Sequence, residues 1–219
     1  MTGAPEARTR LKVCCIGSVG EARLAVRLGA DALGLVSAMP SGPGVISDEA
    51  CATIARATPP PVASVLLTSR TEASGVREQA ERVRPTAVQL VDAAPPEAHE
   101  ALHRLGIPSI QVIHVEGEGA IAEAEEAART ARALLLDSGR PTMGILGGTG
   151  RRHDWAVSAE IVRRVPVPVF LAGGLNAANA AEAIRQVRPW ALDVCSGVRT
   201  GGALDEDKLG AYVRAAAAA

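Results

Sequence analysis

Asp137 closes the run Leu134-Leu135-Leu136-Asp137, and a glycine-rich stretch, Gly147-Gly148-Thr149-Gly150, follows it. Three bulky apolar residues in a row read as a strand buried on both faces, the pattern of a parallel sheet. In parallel α/β proteins ligands bind at the carboxyl ends of the strands, so an acid there is a candidate proton donor. A second reactive group lies near the start of the chain, Cys14 in the apolar run Leu11 to Ile16. A thiolate at one strand end and a carboxylic acid opposite it form a base–acid pair, and such proton transfers typically contribute about 10²–10⁴-fold to a rate. Lys12 falls on the same strand face as Cys14 and would stabilise its negative charge.

Two later stretches carry glycine after a strand: Leu171-Ala172-Gly173-Gly174-Leu175 and Asp193-Val194-Cys195-Ser196-Gly197. Glycines let backbone N–H groups approach an anion closely. Loops after the last two strands of a parallel barrel commonly hold a phosphate. Gly173, Gly174, Ser196 and Gly197 are therefore the candidate phosphate-binding residues.

The elements that must position these groups can be read from periodicity. Residues 1–10 read as a disordered leader. Strands are expected at Leu11–Ile16, Ala32–Val36, Val62–Leu67, Ala87–Val91, Ser109–Val115, Ala133–Leu136, Val167–Leu171 and Ala191–Val194. A helix follows each, with Ser47 and Asn176 as expected caps for two of them. Strict alternation demands parallel neighbours with right-handed crossovers. Eight such units in residues 11–219 give an α/β fold, a single (β/α)8 TIM barrel, with an open doubly wound sheet as the alternative. Strand alternation turns Cys14 and Cys15 opposite ways, one to the barrel mouth and one to the helices.

Composition excludes several function classes. The 23 basic and 24 acidic residues leave a net charge of -1, which gives no bulk attraction to nucleic acid or an anionic membrane. Phe170, Trp155, Trp190 and Tyr212 are the only aromatic residues, too few for a base-stacking surface. No apolar run reaches membrane-spanning length. Cys14, Cys15, Cys51 and Cys195 lack paired metal-ligand spacing, and adjacent Cys14-Cys15 make a poor disulfide. With no signal-peptide pattern, a reducing cytoplasm is expected.

Nearly the whole chain resembles the phosphoribosylanthranilate isomerase family of tryptophan biosynthesis. The matching stretches are Lys12-Val13-Cys14, Gly29-Ala30-Asp31-Ala32-Leu33-Gly34, Val88-Gln89-Leu90, Leu134 to Asp137, Gly147 to Gly150, Asp154-Trp155, Leu171 to Leu175, Asp193-Val194 and Ser196-Gly197-Val198. The resemblance implies a cofactor-independent Amadori rearrangement of a phosphorylated aminoaldose to an aminoketose. It implies Cys14 as general base, facing the mouth, and Asp137 as general acid. It also implies Lys12, Gln89 and Gly148 as further substrate-binding residues, with no metal. Cys15 is then expected under the helix layer.

Departures from the family pattern cluster at the other end of the substrate. Cys15 stands where the family has Gly. The segment after strand two, Pro40-Ser41-Gly42-Pro43-Gly44-Val45, lacks the Arg that the resemblance implies for the anthranilate carboxylate. Val91 replaces a His, and Arg199 replaces a Glu. Arg70, Arg140, Arg151 and Arg152 are possible substitutes for the missing Arg. The expected partner is a small phosphorylated molecule, not nucleic acid or membrane, and the expected assembly is a monomer or homodimer. Two alternatives stand beside the isomerase: a diverged paralogue acting on another phosphorylated sugar or aminosugar, and a non-catalytic barrel that binds a phosphometabolite.

Overall fold

The structure, a computed structural model, describes residues 8–40, 42–138 and 154–219. Eight parallel strands close into a barrel in the order β1 to β8. These are β1 (Arg10–Val13), β2 (Ala32–Val36), β3 (Ala63–Thr68), β4 (Ala87–Leu90), β5 (Ser109–His114), β6 (Ala133–Asp137), β7 (Val169–Leu171) and β8 (Ala191–Val194). The helices between and after them are α1 (Val19–Arg27), α2 (Asp48–Ala57), α3 (Ala73–Val83), α4 (Pro96–Arg104), α5 (Gly119–Ala127), α6 (Trp155–Arg164), α7 (Ala180–Val187) and α8 (Glu206–Ala217). A 3₁₀ turn, Ser196–Val198, and a hairpin of β9 (Arg199–Thr200) and β10 (Ala203–Leu204) sit between β8 and α8. Closure settles the choice between barrel and open sheet. Among the described residues no helix is long and apolar enough to cross a membrane.

The strands are apolar on both faces because each face meets a different core. Leu33, Leu35, Leu66, Leu134 and Leu136 point outward to the helices. Ala32, Val36, Val65, Leu67, Ala133 and Leu135 point inward and fill the barrel. Four of the helices, α1, α2, α6 and α8, begin where a short polar side chain, Ser18, Ser47, Asp154 or Asp205, accepts from a free backbone N–H. Ser47 accepts from the Ala50 N–H at 3.2 Å, as its position before Asp48 and Glu49 suggested. Asn176 does not cap α7. It accepts from the Ala178 N–H at 2.9 Å, opening a turn one step ahead of the helix, and Asn179 takes the cap position.

The chain joins the fold earlier than expected. β1 starts at Arg10, and Arg8 already pairs with Asp31, so the structured part begins before the expected boundary at residue 10. Residues 1–7 lie outside the described residues. At its other end β1 stops at Val13, three residues short of Ile16. That early stop changes the site.

Candidate active site

Period-two alternation carries the inward face of each strand to the mouth of the barrel. In β6 the inward residues Ala133 and Leu135 put Asp137 on the same face. In β8, inward Ala191 is followed by Asp193 and then Cys195. In β4, inward Ala87 and Val91 flank Gln89. Cys14, Gln89, Asp137, Asp193 and Ser196 consequently line one pocket at the carboxyl ends of the strands. Cys14 fits there because β2 has Gly34 opposite: a Cβ at residue 34 would lie 2.7 Å from Cys14 Sγ.

Lys12 is also inward, but it lies one layer below the pocket. Its ammonium is fully buried and sits 2.9 Å from Asp193 Oδ2, its register partner across the β1–β8 seam. Burial acts to lower its pKa, yet the charge of Asp193 and the thiols of Cys14 and Cys15 outweigh it and raise the pKa. Lys12 therefore does not stand on the pocket wall, where substrate contact was expected. It is the buried countercharge beneath Asp193, whose other oxygen, Oδ1, has no partner among the described residues. The Oε1 of Gln89 likewise has none among them. Asp193 was legible only as part of a motif; nothing in the sequence marked its carboxylate as the one held by Lys12.

Asp137 is partly buried at the end of β6. Burial raises its pKa, and Asp193 adds to the rise. The Ser138 N–H, which donates to Oδ1 at 2.7 Å, and the charges of His114 and Lys12 pull the other way without reversing it. The site thus favours the protonated acid more than water would. His114, across the β5–β6 ladder from Asp137, escaped the sequence reading.

Cys15 contradicts the expectation that it packs under the helices. It belongs to the barrel interior and lines the pocket with Cys14. The cause is backbone conformation. Alternation ends with β1 at Val13, and Cys15 adopts a left-handed φ of 63°, rare for a residue with a Cβ. Arg199 holds that turn, donating from Nη2 to the carbonyls of Cys14 at 3.2 Å and Cys15 at 2.5 Å. Glu21 fixes Arg199 through a 3.0 Å ion pair and accepts from the N–H groups of Gly17 and Leu204. The Cys15 side chain then meets the loop after β2. A Cβ at Gly44 would lie 2.5 Å from Cys15 Cβ, and Cys15 Sγ faces the Pro43 carbonyl at 3.5 Å. Its other neighbour is Cys195, with Sγ atoms 2.7 Å apart. Thiol hydrogen bonds to Cys14 and Cys195, with burial, raise the Cys15 pKa. Cys195 is held low: the hydrogen bond with Cys15 lowers its pKa, burial opposes, and the Arg199 charge lowers it again.

The two glycine loops meet at the far side of the pocket. Gly173 and Gly174 take φ values of 85° and 66°, open to glycine at little cost, and both line the pocket beside Ser196. Gly197 lies behind them, where any Cβ would overlap the Leu175 carbonyl. Its role is to let the β8 loop close onto the β7 loop. Gly148 lies outside the described residues, as do Arg140, Arg151 and Arg152.

The sequence matches the family described as N-(5'phosphoribosyl)anthranilate (PRA) isomerase over residues 11–215. A relative from Methanocella arvoryzae, named N-(5'-phosphoribosyl)anthranilate isomerase, is 40% identical over 192 residues, covering 87% of this chain and 89% of that protein. The phosphoribosyl anthranilate isomerase structure from Thermus thermophilus superposes with a TM-score of 0.82 at 34% identity, covering 96% of this chain and 99% of that one. Another phosphoribosyl anthranilate isomerase, solved with reduced 1-(o-carboxyphenylamino)-1-deoxyribulose 5-phosphate, gives a TM-score of 0.81 at 29% identity over 96% of this chain and 100% of that one. The chain belongs to the phosphoribosylanthranilate isomerase family.

Within this phosphoribosylanthranilate isomerase fold, the departures now have positions. Arg199 is not free to meet a ligand; it is occupied by Glu21 and the backbone of the β1 turn. Arg70 is exposed and points its guanidinium toward the Gly75 carbonyl at 3.5 Å, away from the pocket. The wall under the loop after β2 is formed by Val36, Met39, Pro43 and Leu67. Among the described residues no arginine lines the pocket.

Proposed function

We propose that this chain isomerises a phosphorylated aminoaldose to an aminoketose by Amadori rearrangement, with N-(5'-phosphoribosyl)anthranilate as the substrate. The observation that carries the reading is the meeting of Cys14 and Asp137 in one pocket, facing two glycine loops. Asp137 is the general acid: it gives its proton to the ring oxygen as the ribosylamine opens to an iminium. Cys14 is the general base: it takes the proton from the carbon next to the iminium and leaves an enolamine, which tautomerises to the ketone. The acid's raised pKa suits its role, because a donor must still hold its proton when substrate binds. Gly173, Gly174, Ser196 and Gly197 form the phosphate end. Gln89 and Asp193 offer to substrate hydroxyls oxygens that have no partner among the described residues, and Lys12 holds Asp193 in place from below.

Two measurements test this. The gene should restore growth without tryptophan to a strain lacking this isomerase. In the purified protein, Cys14→Ser and Asp137→Asn should each lower kcat by about 10²–10⁴-fold. Wild-type turnover unchanged by either substitution would refute the assignment. With a reducing compartment as its expected setting, the chain works as a monomer or homodimer, a point for sedimentation.

A second reading, a paralogue with a different group on the amine, is favoured by the apolar wall at Met39 and Pro43. It predicts that an aniline analogue without the carboxylate turns over with a kcat/KM close to that of the anthranilate compound. A strong preference for the carboxylate would exclude it.

A further inference from the structure

Three thiols crowd the pocket, and the isomerisation uses only one. Cys15 and Cys195 are separated by nearly the whole chain, yet their Sγ atoms are 2.7 Å apart, and both line the pocket. Cys195 is partly exposed there, whereas Cys15 is buried at 6%. Cys51, the remaining cysteine, is fully buried on α2, outside this group. All four are free thiols in this structure.

We propose that Cys15 and Cys195 are an oxidative modification site, converted by a hydroperoxide to a disulfide that locks the mouth of the barrel. Two steps balance the chemistry. The Cys195 thiolate attacks the outer peroxide oxygen, the O–O bond breaks, and an alcohol or water leaves while Cys195 becomes a sulfenic acid. Cys15 sulfur then attacks the Cys195 sulfur; the S–O bond breaks, and hydroxide departs with the Cys15 proton as water. The peroxide gains two electrons and the thiol pair loses two. Cys195 is the better first nucleophile, being accessible and close to the Arg199 charge, and Cys15 is already in place as the resolving thiol.

The bond would tie together the segments that carry the chemistry. Cys15 follows Cys14 directly and packs on Gly44 of the loop after β2. Cys195 precedes Ser196 and Gly197 of the phosphate loop. A disulfide needs its sulfurs about 2.05 Å apart, so both segments must move inward by a fraction of an ångström. A displacement of that order beside a general base costs about tenfold in rate, since roughly 1 Å can cost 10²-fold. The activity consequence rests on the isomerase reading; the cross-link does not.

The test treats the purified chain with hydrogen peroxide, quenches with catalase, alkylates the remaining thiols and maps peptides by mass. The expected product is a cross-link between the peptide holding Cys15 and that holding Cys195, formed in the wild type and equally in Cys14→Ser. It should be absent in Cys15→Gly and in Cys195→Ser. Wild-type activity should fall about tenfold and return with dithiothreitol, while Cys15→Gly and Cys195→Ser each keep most of their own reduced activity. A cross-link that persists in Cys15→Gly, or is lost in Cys14→Ser, would assign the bond to Cys14 and overturn the proposal. Equal loss of activity in wild type and Cys15→Gly, without a cross-link, would show direct oxidation of Cys14 and overturn it too. If the cross-link forms as expected and no variant has isomerase activity, the proposed function fails and the modification site stands.

Discussion

A single carboxylate shows how the site sets function against stability. Asp137 sits at the end of an apolar strand, and burial raises its pKa above the ordinary aspartate value of 3.8. The native state therefore holds this proton more tightly than the unfolded chain. Where the folded protein binds more protons, stability falls as pH rises. Asp137's favourable contribution is complete below its unfolded pKa and is lost as pH climbs through the higher folded value. Above its unfolded pKa the acid's preference for its proton is a burden that asparagine would not carry. Asp137→Asn is thus expected to melt higher than wild type at pH 7, with the gap closing as pH falls through the folded pKa and gone below about 4, while catalysis is lost. Thermal unfolding across that range checks it; a variant less stable than wild type at pH 7 would show that the carboxylate is stabilising where it stands.

At the level of the element, the decisive feature is the short β1 and the turn after it. The left-handed Cys15 and the loop glycine Gly44 touch, so their substitutions should not be independent. Gly44→Ala alone meets both a collision with Cys15 and a strained φ of 77°. In the Cys15→Gly background the collision with the side chain is gone, leaving the strained φ and a 3.1 Å approach to the Cα of residue 15. A double-mutant cycle in denaturant should return a coupling of about 0.5–3 kcal/mol, the range for residues in contact. Purely additive values would mean that the loop after β2 does not rest on Cys15. This turn also marks where sequence legibility ended. The eight strands were readable because each is a short apolar run between glycine, proline and capping residues. Their inward and outward faces followed from parity, and parity alone brought Cys14, Gln89 and Asp137 together. Parity failed at Cys15 because a guanidinium from residue 199 grips the Cys14 and Cys15 carbonyls. No local pattern encodes a contact that distant. The setting of Lys12 was illegible for the same reason: its partner is Asp193, at the other end of the chain, and it lies buried beneath that partner.

Across the whole molecule, the Lys12–Asp193 pair spans the seam where the first strand meets the last. Breaking a buried pair from one side strands a charge, at about 3–5 kcal/mol. Lys12→Met should cost that much in equilibrium unfolding, and Lys12→Met with Asp193→Leu should recover a good part of it. A double variant as unstable as the single one would mean that the cost lies in lost packing. The seam has another consequence, for the chain as it is made. β1 is synthesised first, but its hydrogen-bonded neighbour on one side is β8, with Arg10–Val13 set against Ala191–Val194. Until residues 191–194 leave the ribosome, that edge of β1 has no strand to pair with and the countercharge of Lys12 is not yet translated. Withdrawing that ammonium from solvent to meet Asp193 has to wait until β8 is available.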